Sequence, residues 1–165
     1  MGEAFNPALH ILAAAVLVGP QFFMFIAAIP AIRTVEDAKA RAQAVRVLTT
    51  RFGYLAWGAI VVLIITGIGN LYEIAPVDVD KINDINYGTI FMVKMTLLVI
   101  VIVLMAVHSF VLGPRQMRMM EAGASEGDLA SARKASMMIS GVTLVLTLAI
   151  VFFAAMLHTD FALKG

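Results

Sequence analysis

Four apolar stretches divide the chain, and each is long enough to form a helix that crosses a lipid bilayer. They run from about residue 7 to 32, 52 to 74, 88 to 112 and 135 to 157. A helix rises about 1.5 Å per residue and the hydrocarbon core is about 30 Å thick, so about 20 apolar residues are enough for one crossing. The pattern predicts an all-α integral membrane four-helix bundle, a single transmembrane domain that covers residues 1–165.

The composition agrees with lipid as the solvent and excludes several classes of protein. Hydrophobic residues make up 61% of the chain and charged residues 14%, whereas about 25% of residues are charged in ordinary soluble proteins. A net charge of +1 gives no basic face for nucleic acid, and the absence of cysteine excludes thiol catalysis and iron–sulfur clusters. The chain also has no motif typical of a hydrolase or a nucleotide triphosphatase. The lipid bilayer is the expected partner.

The basic residues indicate the orientation of the helices. Arginine and lysine are concentrated in the loops after the first and third stretches, whereas the loop after the second has Lys81 among four acidic residues. Because cytoplasmic loops carry the excess of Lys and Arg, both termini are expected on the external side of the inner (plasma) membrane. Capping-box patterns at residues 34–37 and 125–128 predict helix starts, and the second helix is expected to begin in the cytosol near Val35. Gly19-Pro20 predicts a kink in the first helix.

Six polar residues fall at membrane depth, where a polar side chain costs energy and is a functional candidate by default. They are His10, Gln21, Asn70, Lys94, His108 and His158. From the helical rise, His10 and Lys94 lie roughly 7 and 9 Å inside the external boundary, and His158 lies close to it. His108 lies roughly 21 Å further along its helix than Lys94, near the cytoplasmic side.

These residue types suit two kinds of metal chemistry. Two neutral imidazoles from facing helices can hold a haem iron axially, which makes His10 and His158 the candidate metal ligands. A buried Lys94 can bind a haem propionate or an anionic substrate and is the candidate catalytic residue. Copper is the alternative, because the chain has 11 methionines and thioethers with imidazoles suit Cu(I). His108 is too far from Lys94 to be a ligand of the same haem.

Short motifs in the first three stretches resemble a known family. They are Asn6-Pro7-Ala8-Leu9-His10-Ile11, Arg51-Phe52 with Ala56-Trp57 and Thr66-Gly67, and Phe91-Met92-Val93-Lys94-Met95. Together they resemble the CopD-type membrane domain, which is similar to the HemJ-type protoporphyrinogen oxidases. The resemblance implies either copper handling, or haem b binding with oxidation of protoporphyrinogen, for which His10 and Lys94 match the family's His and Lys. Asn6 and Pro7 replace the Trp and Lys that usually come just before the His in HemJ-type sequences.

The function expected from the sequence is therefore a haem b protein that transfers electrons within the membrane, alone, as a homodimer or as a subunit of a larger redox complex. A haem-dependent oxidoreductase of the protoporphyrinogen type, a copper-handling CopD-like protein and a purely structural membrane subunit are the alternatives.

Overall fold

The computed structural model describes residues 2–74, 85–157 and 159, so the candidate ligand His158 lies outside the described residues. Within these ranges the chain is helical and contains no strand. Six α-helices and two wider π-helical turns follow one another. They are α1 (Gly2–Phe23), π1 (Met24–Ala28), α2 (Ile29–Arg33), α3 (Ala38–Ile74), α4 (Ile85–Ala106), π2 (Val107–Leu112), α5 (Gly113–Glu121) and α6 (Glu126–Met156).

The four predicted membrane spans are confirmed as helices of sufficient length and apolarity. The spans are Ala4–Arg33, Ala38–Asn70, Asn86–Glu121 and Glu126–Met156. Three of them extend well past the apolar stretches into basic sequence, and α3 runs unbroken from Ala38, as expected for a helix that projects from the membrane. The protein is thus an all-α, multi-pass membrane protein.

The chain forms two compact units, residues 1–79 and 80–165, each of which is a helical hairpin. In the first hairpin α1 and α2 pack against α3; in the second α4, π2 and α5 pack against α6. We call the turn of each hairpin, where its arginines gather, the arginine end, and the opposite end the open end. A single domain for the whole chain stays a prediction.

The two hairpins have different cores. In the first, small residues such as Ala13 and Ala56 are buried together with Leu17 and Ile60, which suits close approach of helices in a membrane. In the second, Tyr87 and Ile90 pack against Phe153 and its neighbours at the open end. Large apolar side chains elsewhere are exposed on the helices, as expected for surfaces that face lipid.

Helix caps at the arginine ends differ in part from the prediction. Ser125 caps α6 as predicted, with its Oγ accepting the Asp128 N–H at 3.2 Å. The prediction of a capping box that starts at Thr34 is wrong. Asp37 caps α3, because its carboxylate accepts the N–H groups of Lys39 at 3.0 Å and Ala40 at 3.2 Å. Thr34 instead ends α2 and donates to the carbonyl of Ala31.

The same backbone break occurs in both hairpins, and the sequence did not predict it. Helix α1 continues through Gly19 and Pro20, and the wide turn π1 follows at Met24–Ala28. Turns π1 and π2 each end two residues before a proline, Pro30 and Pro114 respectively. A proline ring clashes with the carbonyl four residues earlier. That carbonyl lies within the wide turn in both cases, and the looser i→i−5 bonding there gives it room.

Candidate ion-binding site at the open end of the first hairpin

Four polar side chains meet between α1 and α3 at the open end of the first hairpin. Asn6 and His10 are one turn apart on α1, and Thr66 and Asn70 are one turn apart on α3. Residues four apart share a helix face. Because the two helices are antiparallel neighbours, the two pairs face each other at matching depth.

Hydrogen bonds join the four residues. His10 Nδ1 lies 2.7 Å from Thr66 Oγ1. The Asn6 amide Nδ2 donates to the carbonyl of Thr66 at 3.1 Å and to Asn70 Oδ1 at 2.6 Å. Thr66 is only 2% exposed, so this contact is shielded from solvent and lipid. The cluster therefore fixes the position of the His10 ring.

The direction of the Thr66 hydrogen bond determines which nitrogen of His10 carries the proton. Thr66 Oγ1 lies 2.7 Å from the carbonyl oxygen of Val62. Two oxygens this close need a hydrogen between them, and a carbonyl has none to give, so the single hydroxyl hydrogen of Thr66 goes to Val62. His10 Nδ1 must then donate its own N–H to Thr66. In the neutral imidazole this leaves the lone pair on Nε2, the nitrogen that can bind a metal.

Two glycines make room for the cluster. A Cβ on Gly69 would lie 2.7 Å from Asn6 Nδ2, closer than real side chains approach, whereas a Cβ on Gly67 would lie 3.5 Å from His10 Cε1, an ordinary contact. A Cβ on Gly53 or Gly58 would meet nothing within 4 Å. Of these four glycines, Gly69 is thus the one whose missing side chain the site requires.

The other predicted site residues lie elsewhere. Lys94 is half-buried on α4 in the second hairpin and makes no hydrogen bond or ion pair with the residues that the structure describes. His108 lies in π2, about 21 Å along the helix from Lys94 by the rise per residue. His158 is outside the described residues. The first hairpin therefore brings His10 together with asparagine and threonine side chains.

The side chains that surround His10 differ from those of a metal site built from carboxylates. Among residues 2–74, 85–157 and 159, no group of three or more His, Asp or Glu side chains lies close enough to hold a metal ion. Carboxylates in the spans lie only at their ends, at Glu121, Glu126 and Asp128. Hard divalent ions need several oxygen ligands. An ion bound at His10 must be one that accepts few, softer ligands.

Two residues of the cluster were not among the candidates from the sequence. Asn6 and Thr66 appeared only as part of family-like motifs, because neither is titratable and threonine is common in apolar helices. A usable signal was present in the spacing. Two polar pairs with i, i+4 spacing, on consecutive helices and at equal depth, predict a contact between them.

The fold and this site define a multi-pass helical membrane protein in which hydrogen bonds between two helices hold an imidazole. Comparison with known families then assigns it more narrowly. The family model for copper resistance protein D (CopD) matches residues 46–157, more than half of the chain, and the protein belongs to the CopD family. No curated protein and no solved structure matches the chain.

The family match agrees with the predicted resemblance to CopD, and indicates a membrane protein related to copper resistance. It includes Thr66, Lys94 and His108, whereas His10 precedes it. The likeness to HemJ-type oxidases, and with it haem b, receives no support from the comparisons.

Proposed function

We propose that the protein carries copper ions across the membrane and that His10 Nε2 binds the ion at the open end of the first hairpin. The single observation that carries this proposal is the 2.7 Å contact between His10 Nδ1 and Thr66 Oγ1. Membership of the copper resistance protein D family supports copper as the ion.

The contact with Thr66 is the kind of second hydrogen bond that metal-binding histidines make. Such histidines almost always donate their other ring N–H to an oxygen, which fixes the tautomer and the ring orientation. Here the acceptor is Thr66, whose own hydroxyl hydrogen is already given to Val62. In the neutral ring Nε2 therefore carries no proton.

The chemistry of the surroundings favours monovalent copper. Cu(I) is soft and binds imidazole and thioether ligands, and it tolerates a low coordination number. The half-buried Asn6 and His10 lie in a helix pair that contains no carboxylate within the membrane. No carboxylate would compensate the charge of a divalent ion there. The free energy of an uncompensated charge is high in an apolar medium.

We propose the orientation in which the open ends face the outside of the inner membrane. The arginine ends carry Arg33, Arg41 and Arg46 in the first hairpin and Arg115 and Arg118 in the second. An excess of such residues is typical of cytoplasmic loops. Copper would then meet His10 from the external side.

Binding of haem b is the second candidate function, favoured by the same fixed imidazole. Haem iron takes a neutral imidazole as axial ligand, and the Nδ1–H of His10 leaves Nε2 free of a proton for that role. Lys94 would bind a propionate in this case, and His158 would be the second axial ligand. When bound, the haem would supply one-electron chemistry.

One experiment separates these functions. The protein is purified in detergent, its visible spectrum is recorded, and Cu(I) is titrated in competition with a chromophoric chelator. We expect a colourless protein whose Cu(I) affinity falls at least tenfold in His10→Ala and severalfold in Thr66→Val. The matched control is Thr49→Val on the same helix, because exposed Thr49 makes the same bond to a carbonyl four residues back, at 2.8 Å. Unchanged Cu(I) affinity in His10→Ala contradicts the proposal, and a haem spectrum that His10→Ala abolishes establishes the second candidate.

A further inference from the structure

Two buried side-chain polar atoms have no hydrogen-bond partner in the part of the chain that the structure describes. They are Gln21 Oε1 in the first hairpin and His108 Nδ1 in the second. Leaving such an atom unsatisfied is energetically costly, and each case in a native structure calls for an explanation. Both atoms belong to the wide-turn regions, since Gln21 lies one turn before π1 and His108 lies within π2.

The two hairpins have the same layout around these atoms. His10 and Lys94 are 84 residues apart, and so are Pro30 and Pro114. With the same offset, Gln21 corresponds to Met105 and Met24 corresponds to His108. In membrane transporters, interrupted helices at corresponding positions of two repeats are the best indication of where the transported substrate binds. The two wide turns are such a pair of interruptions.

The second hairpin has a methionine and a histidine, two residue types that can bind a metal, close in sequence at its interruption. Met105 is 8% exposed and Val101, one turn earlier, is 1% exposed, so this face of α4 is buried. His108, the second residue of π2, is three residues after Met105, less than one helical turn further along the chain. Turn π2 packs against α6. A buried thioether and a half-buried imidazole with a shielded Nδ1 therefore lie less than one helical turn apart along the chain.

We propose that Met105 Sδ and His108 Nδ1 form a second copper(I) site near the arginine end of the second hairpin. Helix α4 and π2 contain no carboxylate, so the site has neutral, soft donors, the ligands that Cu(I) prefers. Binding the ion gives His108 Nδ1 the partner that it lacks within the protein. This proposal rests on copper as the transported ion and adds a site in the second hairpin.

The stoichiometry of Cu(I) binding tests the second site separately from the first. The purified protein is titrated with Cu(I) against a chromophoric chelator. We expect two ions per chain in the wild type, one in His10→Ala, one in Met105→Leu, and none in the combined variant. Met105→Leu conserves volume, so the hairpin should stay folded, and His108→Ala is expected to give the same loss. Met138→Leu is the control, because Met138 on α6 is 65% exposed.

The two proposals fail in different ways. Loss of an ion in His10→Ala, with the wild-type count kept in both Met105→Leu and His108→Ala, overturns the second site and leaves the first. X-ray absorption at the copper edge gives an independent signature. In His10→Ala, the bound copper should show a sulfur neighbour that disappears in the combined variant, and a copper with only nitrogen or oxygen neighbours there contradicts a site that includes Met105.

Discussion

Asn6 and Asn70 share a hydrogen bond of 2.6 Å between Nδ2 and Oδ1, one helical turn nearer the open end than the contact between His10 and Thr66. The same Asn6 nitrogen also donates to the Thr66 carbonyl. Asn6 thus connects α1 to Thr66 and Asn70 of α3, and Thr66 is also the residue that contacts the His10 ring.

The Asn6–Asn70 bond should be measurable as a coupling energy. In a double-mutant cycle of Asn6→Ala and Asn70→Ala, we expect the two substitutions to be coupled by about 0.6 kcal/mol and by no more than about 1.7 kcal/mol, the range of interhelical hydrogen bonds in membranes. The free energy of unfolding in mixed micelles is the quantity to measure. Asn6→Ala combined with Thr49→Ala should instead be additive within about 0.5 kcal/mol.

Alanine substitutions at two neighbouring glycines should have opposite effects. At Gly67 the new methyl has room, and we expect a neutral or stabilising effect of up to about 1 kcal/mol from helix propensity. At Gly69 the methyl would lie 2.7 Å from Asn6 Nδ2, and displacing that amide should make Gly69→Ala less stable than Gly67→Ala by about 1–3 kcal/mol. Equal stabilities in the micelle unfolding assay would show that Asn6 moves aside without cost.

The N-terminal cap of α3 can be tested independently of the site. Asp37→Ala should destabilise the protein by about 1 kcal/mol, because two N–H groups lose their acceptor, whereas Asp37→Asn should retain most of the stability. Thr34→Ala is the control, since the Thr34 hydroxyl donates to a carbonyl on the exposed end of α2. A larger loss in Thr34→Ala than in Asp37→Ala would restore the predicted capping box.

The orientation can be tested by thiol labelling, because the chain has no cysteine of its own. We expect a cysteine introduced by Asp80→Cys to react with an impermeant reagent on intact cells after any outer membrane is permeabilised, and one introduced by Glu121→Cys to react only after lysis. The excess of arginine at the end that contains Glu121 is the reason. The reverse pattern would place the open ends in the cytoplasm.

The sequence was sufficient to predict the helices, because a run of about 20 apolar residues has few other solutions in a bilayer. The sequence also made His10 a candidate, since an imidazole at membrane depth differs from its apolar neighbours, and its role as a ligand stays a prediction. The partners of His10 were harder to predict. Thr66 satisfies its own hydroxyl on Val62, so only the pairing of α1 with α3 reveals that it also accepts from His10.

The wide turns could not be predicted from the pattern of apolar residues, because a π-turn has the same hydrophobic composition as the helix around it. The sequence feature that indicates these turns is the pair of prolines. Pro30 and Pro114 lie near the ends of long apolar stretches, where a proline is usually read as the end of a helix. Here the backbone instead widens before each proline and continues as a helix, to Arg33 in one hairpin and to Glu121 in the other.

Each wide turn acts as a one-residue insertion in the register of its helix, which rotates everything after it by about 100°. In an uninterrupted helix Arg115 would lie about 60° around the axis from Lys94, and the insertion moves it to about 160°, the opposite flank. In the first hairpin, Arg33 would lie about 140° around the helix axis from His10 in an uninterrupted helix. The wide turn π1 reduces this angle to about 40°. The two wide turns therefore have opposite consequences. One places Arg33 near the helix face of His10, and the other moves Arg115 away from the helix face of Lys94.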